Sequence, residues 1–274
     1  MQITIPKSST RSLRAALASS QVLRTLTLPL MRRIDLQIAI RNPFSGLRFH
    51  LLSFTHKGYW FYGRHRERDS MARCASLINP ADHVFEVGGH IGYLSQFFAR
   101  RVGQTGQVHI FEPGLQNQHF LNMNIASCQQ CVHVNAAVSD FTGKATFYEE
   151  NLGGFMNSLD GDFAQSSDNA ASQRRRLKLL PHRVNATTLD TYATAHNVWP
   201  QFLKIDVEGA ELAVLRGGTK VLNTARAMMI EVTRNQVEVY NLLETQGFSL
   251  SDPRGIEITS PDQMDGNIFA IRED

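Results

Sequence analysis

The feature that most narrows what this chain can fold into is an alternation of short β-favouring runs with helical stretches of about ten residues. His83-Val84-Phe85-Glu86-Val87 stops at Gly88-Gly89, and residues 91–102 then read as a helix. Residues 107–111 form a second run, ended by Glu112-Pro113-Gly114, and a helical stretch carrying Phe120, Met123 and Ile125 follows. Val132-His133-Val134 opens a third, and Thr142-Gly143 turns into residues 145–148. Later come a strand at 202–206, a helix from 209 to 222, a strand at 227–232, a helix at 236–246, and closing strands at 248–250 and 267–271. This alternation predicts an α/β domain with a mostly parallel sheet, whose ligand lies beyond the carboxyl ends of the strands. The chemistry is therefore expected in the segments that follow each strand.

Composition sets the outer bounds. A chain of 274 residues, 42% apolar and 19% charged, can bury a core, which excludes a disordered chain and a disulfide-stapled mini-protein. No run approaches 18 uninterrupted apolar residues, so no membrane-spanning helix is expected. The cysteines are Cys74, Cys128 and Cys131, a count that suits a reducing compartment, and the expected location is cytoplasmic. Charge is lopsided: residues 1–75 hold 13 Lys/Arg and 3 Asp/Glu, and the rest 15 and 22. The expected organisation is a basic N-terminal helical arm, 1–75, on a main domain, 76–274, with a flexible substrate loop at 150–180. A secretory signal is not read, because Arg14, Arg24 and Pro29 interrupt the segment from Leu13 to Leu30. The arm is expected to be an amphipathic helix packed on the domain; a transit peptide is the alternative, and peripheral membrane contact is left open, as is homo-oligomer formation.

The loop Glu86-Val87-Gly88-Gly89-His90-Ile91-Gly92 joins a strand to a helix N-terminus, where glycines let a ligand approach the backbone and free N–H groups await it. It does not fit G-x-G-x-x-G, because His90 and Tyr93 stand where glycines are required. Glu112, about twenty residues beyond and ending the second strand, suits the two hydroxyls of a ribose. Together the two features point to a ribose-bearing ligand.

Five blocks in this order, Glu86 to Gly92, Phe111-Glu112-Pro113, Asn135-Ala136-Ala137-Val138-Ser139-Asp140, Thr187-Thr188-Leu189-Asp190 and Lys204-Ile205-Asp206-Val207-Glu208-Gly209-Ala210-Glu211, resemble the FkbM family of S-adenosylmethionine-dependent methyltransferases. The resemblance spans roughly residues 58–273. It implies a Rossmann-like class I methyltransferase fold, with a seven-stranded mostly parallel sheet and helices on both faces. It also implies O-methylation of a hydroxyl on a sugar, glycolipid or secondary metabolite. Carried over by position, Glu86, Val87, Gly88, Gly89, His90 and Gly92 would cradle the methionine part of S-adenosyl-L-methionine. Glu112 with Pro113 would hold the ribose, Ala137 and Val138 would face the adenine, and Asp206 would face the methyl group. The family's first block usually reads Asp-Val-Gly-Ala-Asn-Ile-Gly, so Glu86 and His90 depart from it.

Methyl transfer needs an aligned nucleophile and dry surroundings, and a hydroxyl gains from a general base. Asp206, Glu208 and His90 are the candidate catalytic residues. Asp206 with Glu231 is thin ground for a divalent metal, and no metal ligand is assigned. Cys128-Gln129-Gln130-Cys131 has metal-ligand spacing without a second pair and reads as two reduced thiols. The cluster Tyr59-Trp60-Phe61-Tyr62 reads as a docking seam before it reads as a stacking platform. The expected acceptor is a small molecule or glycan. A nucleic-acid methyltransferase using the basic arm, and a degenerate binding protein on the same fold, are the two rivals.

Overall fold

The structure, a computed structural model, describes residues 3–4, 33–65, 67–150, 153–155, 157–159 and 178–272. The chain divides into two compact units, Met1–Arg68 and Asp69–Asp274.

In the first unit, β1 (Ile3–Thr4) runs parallel to β2 (Gln37–Arg41), which pairs antiparallel with β3 (Arg48–Leu52). Asn42 accepts from the Phe44 and Ser45 amides, the local side-chain bonding that favours a turn at such a residue. Phe49 and Leu51 are buried, and their neighbours on β3 are not, giving the strand period of two. After β3 comes α1 (Lys57–Tyr62). Trp60 Nε1 donates to Ser53 O at 2.7 Å and the Tyr59 ring meets Phe49 edge-on at 5.5 Å, so both aromatics serve this unit's own packing, whereas Tyr62 is exposed. The net charge of this region hides the hairpin's alternation, and the sequence reading passes over it. Within the arm expected to be helical, the segment from Leu13 to Leu30 lies outside the described residues.

The second unit begins with α2 (Arg68–Leu77), whose first residue closes the other unit. Then follow β4 (His83–Val87), α3 (Tyr93–Val102), β5 (Gln107–Phe111), α4 (Leu115–Ile125) and β6 (Cys131–Val134). A side excursion of β7 (Ala137–Val138), β8 (Gly143–Glu150) and β9 (Leu179–Thr187) forms its own small sheet, ordered β7-β9-β8. The main sheet resumes with α5 (Leu189–His196), β10 (Phe202–Ile205), α6 (Glu211–Arg216), α7 (Thr219–Thr224), β11 (Ala227–Glu231), α8 (Gln236–Thr245), β12 (Phe248–Ser251) and β13 (Asn267–Arg272).

The seven-stranded sheet runs β12-β13-β11-β10-β4-β5-β6, with β13 antiparallel to both neighbours and the other pairings parallel. From β4 the chain steps outward one way through β5 to β6; from β10 it steps the other way. Right-handed crossovers therefore set the two halves' helices on opposite faces. The order reverses between β4 and β10, the switch point at which such sheets bind ligands. Phe202, Leu203, Ile205, Met228 and Ile230 are all enclosed, the near-continuous apolar runs expected of strands covered on both faces.

One expected element is two. The helix read across 209–222 breaks at Gly217-Gly218 into α6 and α7. A Cβ on Gly217 would stand 2.2 Å from Ser139 O, so this backbone packs against the segment after β7. Thr188 Oγ1 accepts from Thr191 N and caps α5, while the Asp190 carboxylate reaches on to the Lys220 and Val221 amides at the start of α7.

Candidate functional site

The site begins with two charges in strands that are otherwise apolar. Glu86 on β4 and Lys204 on β10 are direct partners in the parallel ladder, and both are buried. Lys204 Nζ donates to Gly88 O at 2.5 Å and lies 3.2 Å from Asp206 Oδ2. The ammonium thus ties the loop after β4 to the end of β10, across the switch point. Ser95, in the first turn of α3, donates to Glu86 Oε2 at 2.5 Å. Burial pushes the Glu86 carboxyl up to about 7, and Lys204 and the Ser95 hydroxyl pull against that rise.

The glycines are needed at once. Gly88 sits at φ +82°, and a Cβ there would fall 1.9 Å from Asp206 O. Gly92, also left-handed at φ +83°, occupies the N-cap of α3. Between them His90 takes a left-handed φ of 47° without being glycine, and Glu208 does the same at 53°. Such backbone is uncommon outside glycine and is held by surrounding contacts. For His90 these are its amide donated to Glu112 Oε2 at 2.8 Å, its Nε2 2.7 Å from Gly153 O, and its ring 4.4 Å from that of Phe155.

Glu112 closes β5 and is buried. Its Oε1 accepts from Gly114 N at 2.8 Å and from Asn117 Nδ2 at a longer 3.3 Å. Burial lifts this carboxyl to about 7, and the His90 and Gly114 amides and Asn117 act against it. A carboxylate offers about four acceptor positions, so three protein donors leave it capacity. Pro113 beside it is buried too. Asn157 brings a second polar group here: its Oδ1 accepts from Glu150 N, while Nδ2 is enclosed with no hydrogen-bond partner. A Cβ on Gly114 would meet Glu112 Oε1 at 2.7 Å and Asn157 Nδ2 at 2.9 Å, which places the spare donor close to the carboxylate.

The segment after β10 carries Asp206 and Glu208. Asp206 is half-buried, and its amide donates to Val87 O at 3.1 Å. Glu208 is pushed up to about 8, by burial first and then by the charges of Asp206, Glu231 and Glu211. Glu211 is buried, accepts from Gly209 N and the Thr233 hydroxyl, and is also raised by burial. Ser158 is buried and donates to the main-chain oxygen of Glu208 at 2.7 Å. Among the described residues no three or more His, Cys, Asp or Glu side chains are placed to hold a metal ion.

The structure brings Glu86, Val87, Gly88, Gly89, His90, Glu112 and Asp206 together around the β4 and β10 strand ends. Ala137 and Val138 are buried in β7, paired with Ala186 and Thr187, and Val138 joins the main core. Sequence reasoning missed Lys204, Ser95 and Asn117. A lysine inside a buried strand was the available signal for the first.

The strand order with its single reversed strand, and the glycine turn and acid at the first two strand ends, define a class I methyltransferase fold. The chain belongs to the methyltransferase FkbM domain family, whose pattern matches residues 86–250. No curated protein matches the chain. Among solved structures it is similar to an FkbM methyltransferase of Methylobacillus flagellatus at 13% identity and a TM-score of 0.43. That alignment takes in 77% of this chain and only 60% of the other. It is also similar to Aeropyrum pernix fibrillarin with bound S-adenosyl-L-methionine, at 11% identity, TM-score 0.42, over 85% and 88% of the two chains. A third is magnesium protoporphyrin IX methyltransferase of Synechocystis, also with the cofactor bound, at 12% identity, TM-score 0.43, over 96% and 97%. Membership rests on the family pattern and the strand order, not on these likenesses.

Proposed function

We propose that this chain is an S-adenosylmethionine-dependent O-methyltransferase of the cytoplasm, acting on a hydroxyl of a small molecule or glycan. The observation that carries the reading is the convergence of Glu112, the Gly88-Gly89 turn and the Asp206–Glu208 segment at one switch point. The donor set fits the cofactor: Glu112 keeps acceptor capacity for ribose hydroxyls, and Asn157 Nδ2 offers an enclosed, unpaired donor beside it. Glu86 to Gly92 would hold the methionine part, and backbone around Ala137 and Val138 would face the adenine.

The cofactor supplies an activated methyl group on a sulfonium, and the protein's work is alignment and proton removal. Lys204 keeps Gly88 O and Asp206 in register, which sets the edge of the site. Glu208 is the proposed base. A carboxyl near 8 is poised close to working pH and takes a proton far more readily than an ordinary glutamate. Asp206, next to it and tied to Lys204, is proposed to orient the acceptor hydroxyl. His90 is bonded to Gly153 and Glu112, so we read it as a clasp on the cofactor loop.

Calorimetric titration with S-adenosylhomocysteine tests the first half. Micromolar binding is expected, and Glu112→Ala should weaken it at least tenfold, the equivalent of about 1.4 kcal/mol. A folded protein that takes up no S-adenosylhomocysteine would overturn the reading and leave the degenerate binder in its place. A labelled-methyl screen of glycan and small-molecule hydroxyls against RNA then separates acceptor classes. Transfer to RNA, with affinity falling steeply with salt, would move the protein to the nucleic-acid alternative.

A further inference from the structure

Glu112 has fewer acceptor positions to offer than a ribose diol has hydroxyls. An ionised carboxylate presents about four, two on each oxygen. Three are taken by protein donors: the His90 amide on Oε2, and the Gly114 amide with Asn117 Nδ2 on Oε1. One position remains, on Oε2 beside the His90 amide. A diol brings two hydroxyls, each able to donate or to accept. The carboxylate takes one of them, and the other needs a partner of its own.

Such a partner stands next to the acid. Asn157 is buried, and its Nδ2 has no hydrogen-bond partner among the described residues. The Glu150 amide donates to Oδ1 at 2.9 Å, which settles which end of the side-chain amide is the donor. The backbone beside it is held as well. Ser158 exchanges two main-chain hydrogen bonds with Tyr148, at 2.9 and 3.1 Å, and its hydroxyl donates to Glu208 O. Gly114 shows where the donor is aimed. A Cβ there would stand 2.7 Å from Glu112 Oε1, 2.9 Å from Asn157 Nδ2 and 3.4 Å from Asn117 Nδ2, so the acid and two donors converge on one point. An enclosed donor without a partner carries a free-energy cost that a ligand hydroxyl relieves.

We propose that Asn157 is a specificity-determining residue of the cofactor site, donating to one ribose hydroxyl while Glu112 accepts from the other. The diol is therefore read unevenly. One hydroxyl donates to a charged group and the other accepts from a neutral amide, and the charge-assisted bond is the stronger. A carboxylate acting alone would treat the two hydroxyls alike. A ligand lacking either hydroxyl leaves Glu112 or Asn157 without its partner in an enclosed place, which is how a polar site rejects a deoxy analogue. The inference rests on the proposed use of S-adenosylmethionine and adds to it the residue that discriminates the ribose.

The test is calorimetric titration of the full chain with S-adenosylhomocysteine and with its 2′-deoxy and 3′-deoxy analogues. It is run at pH 8, above the value of about 7 to which burial raises the Glu112 carboxyl. The unmodified chain should bind one analogue roughly 10–100-fold more weakly and the other only roughly 3–10-fold, the contrast between a charge-assisted and a neutral hydrogen bond. Asn157→Ala should weaken S-adenosylhomocysteine by the smaller factor and bind the less affected analogue as tightly as S-adenosylhomocysteine. It should keep its discrimination against the other analogue. Thermal melts at the same pH establish that the variant is folded. Equal penalties for the two analogues in the unmodified chain overturn the inference, whether or not the variant folds. A folded Asn157→Ala that binds all three ligands as before overturns it too, and so does one that weakens all three by the same factor, the mark of a merely structural role. An unmodified chain that binds none of the three ligands overturns the methyltransferase reading and this inference with it. Binding of S-adenosylhomocysteine with equal analogue penalties removes the inference alone.

Discussion

Lys204→Met isolates what a buried cation does for this site. Methionine keeps much of the apolar stem and removes the ammonium. Gly88 O then loses a charge-assisted donor, which costs about 1.5–3 kcal/mol. Glu86 loses the opposite charge that favours its ionised form, and it remains buried. Replacing a whole buried ion pair with apolar residues can be neutral or stabilising, but here one partner stays behind, the costly case. The sign with pH follows from Glu86, whose carboxyl stands near 7. At pH 8 it is largely ionised and Lys204 stabilises it; at pH 5 it is neutral and that contribution is gone. The expected loss is therefore about 3 kcal/mol at pH 8 and about 2 kcal/mol or less at pH 5. For a unit of this size about 3 kcal/mol lowers Tm by roughly 6–12 °C. Thermal melts followed by circular dichroism at the two pH values measure both. A fall below about 2 °C at pH 8, or a larger fall at pH 5 than at pH 8, would refute the account of Lys204 as the tie across the switch point.

Gly88→Ala should destabilise by about 3 kcal/mol or more, combining a left-handed φ with overlap on Asp206 O. Gly103→Ala, also at a positive φ of 70° but with ψ −162° and nothing within 4 Å, should cost about 1–3 kcal/mol from backbone strain alone, and a urea midpoint as low as that of Gly88→Ala would sink the steric argument. The pH dependence has a definite sign as well. Glu86 and Glu112, raised to about 7, and Glu208, raised to about 8, bind protons in the folded state that the unfolded chain releases from about 4.5 upward. Folded protein thus holds the excess protons, and these groups add stability as pH falls from about 8 towards 5, by at most about 3 kcal/mol for each of the two enclosed glutamates. Urea midpoints should rise on acidification across that window, and Glu86→Gln should flatten the rise; a midpoint that climbs with pH and ignores the substitution contradicts the burial of these carboxyls.

The order of strands and helices in residues 83–271 was legible because each element is local: a β-favouring run, a punctuating glycine or proline, then a helical period. The glycine turn and Glu112 were legible for the same reason, since a strand end, a turn and an acid are neighbours in sequence. Elements that depend on a distant partner were not. Leu179–Thr187 carries Pro181, His182 and Arg183 among its apolar residues, so it becomes a strand only where Gly143–Glu150 pairs with it. The helix read through 209–222 breaks at Gly217-Gly218, where Ser139 O, far away in sequence, leaves no room for a Cβ on residue 217.

The site divides in the same way. Sequence alone determined the alternating α/β plan, the glycine turn with an acid at the end of the next strand, and the carboxylates after the fourth parallel strand, because residue types and local spacing carry them. Only the tertiary structure decided that Lys204 faces Glu86 across a ladder and grips Gly88 O. It alone showed the Glu112 oxygens already engaged by His90, Gly114 and Asn117, and the turn thiol Cys131 against the carbonyl of the serine that holds Glu86. The reason is physical. A buried charge takes its carboxyl shift and its donors from whatever folding sets beside it, and those neighbours lie anywhere from two to more than a hundred residues away along the chain.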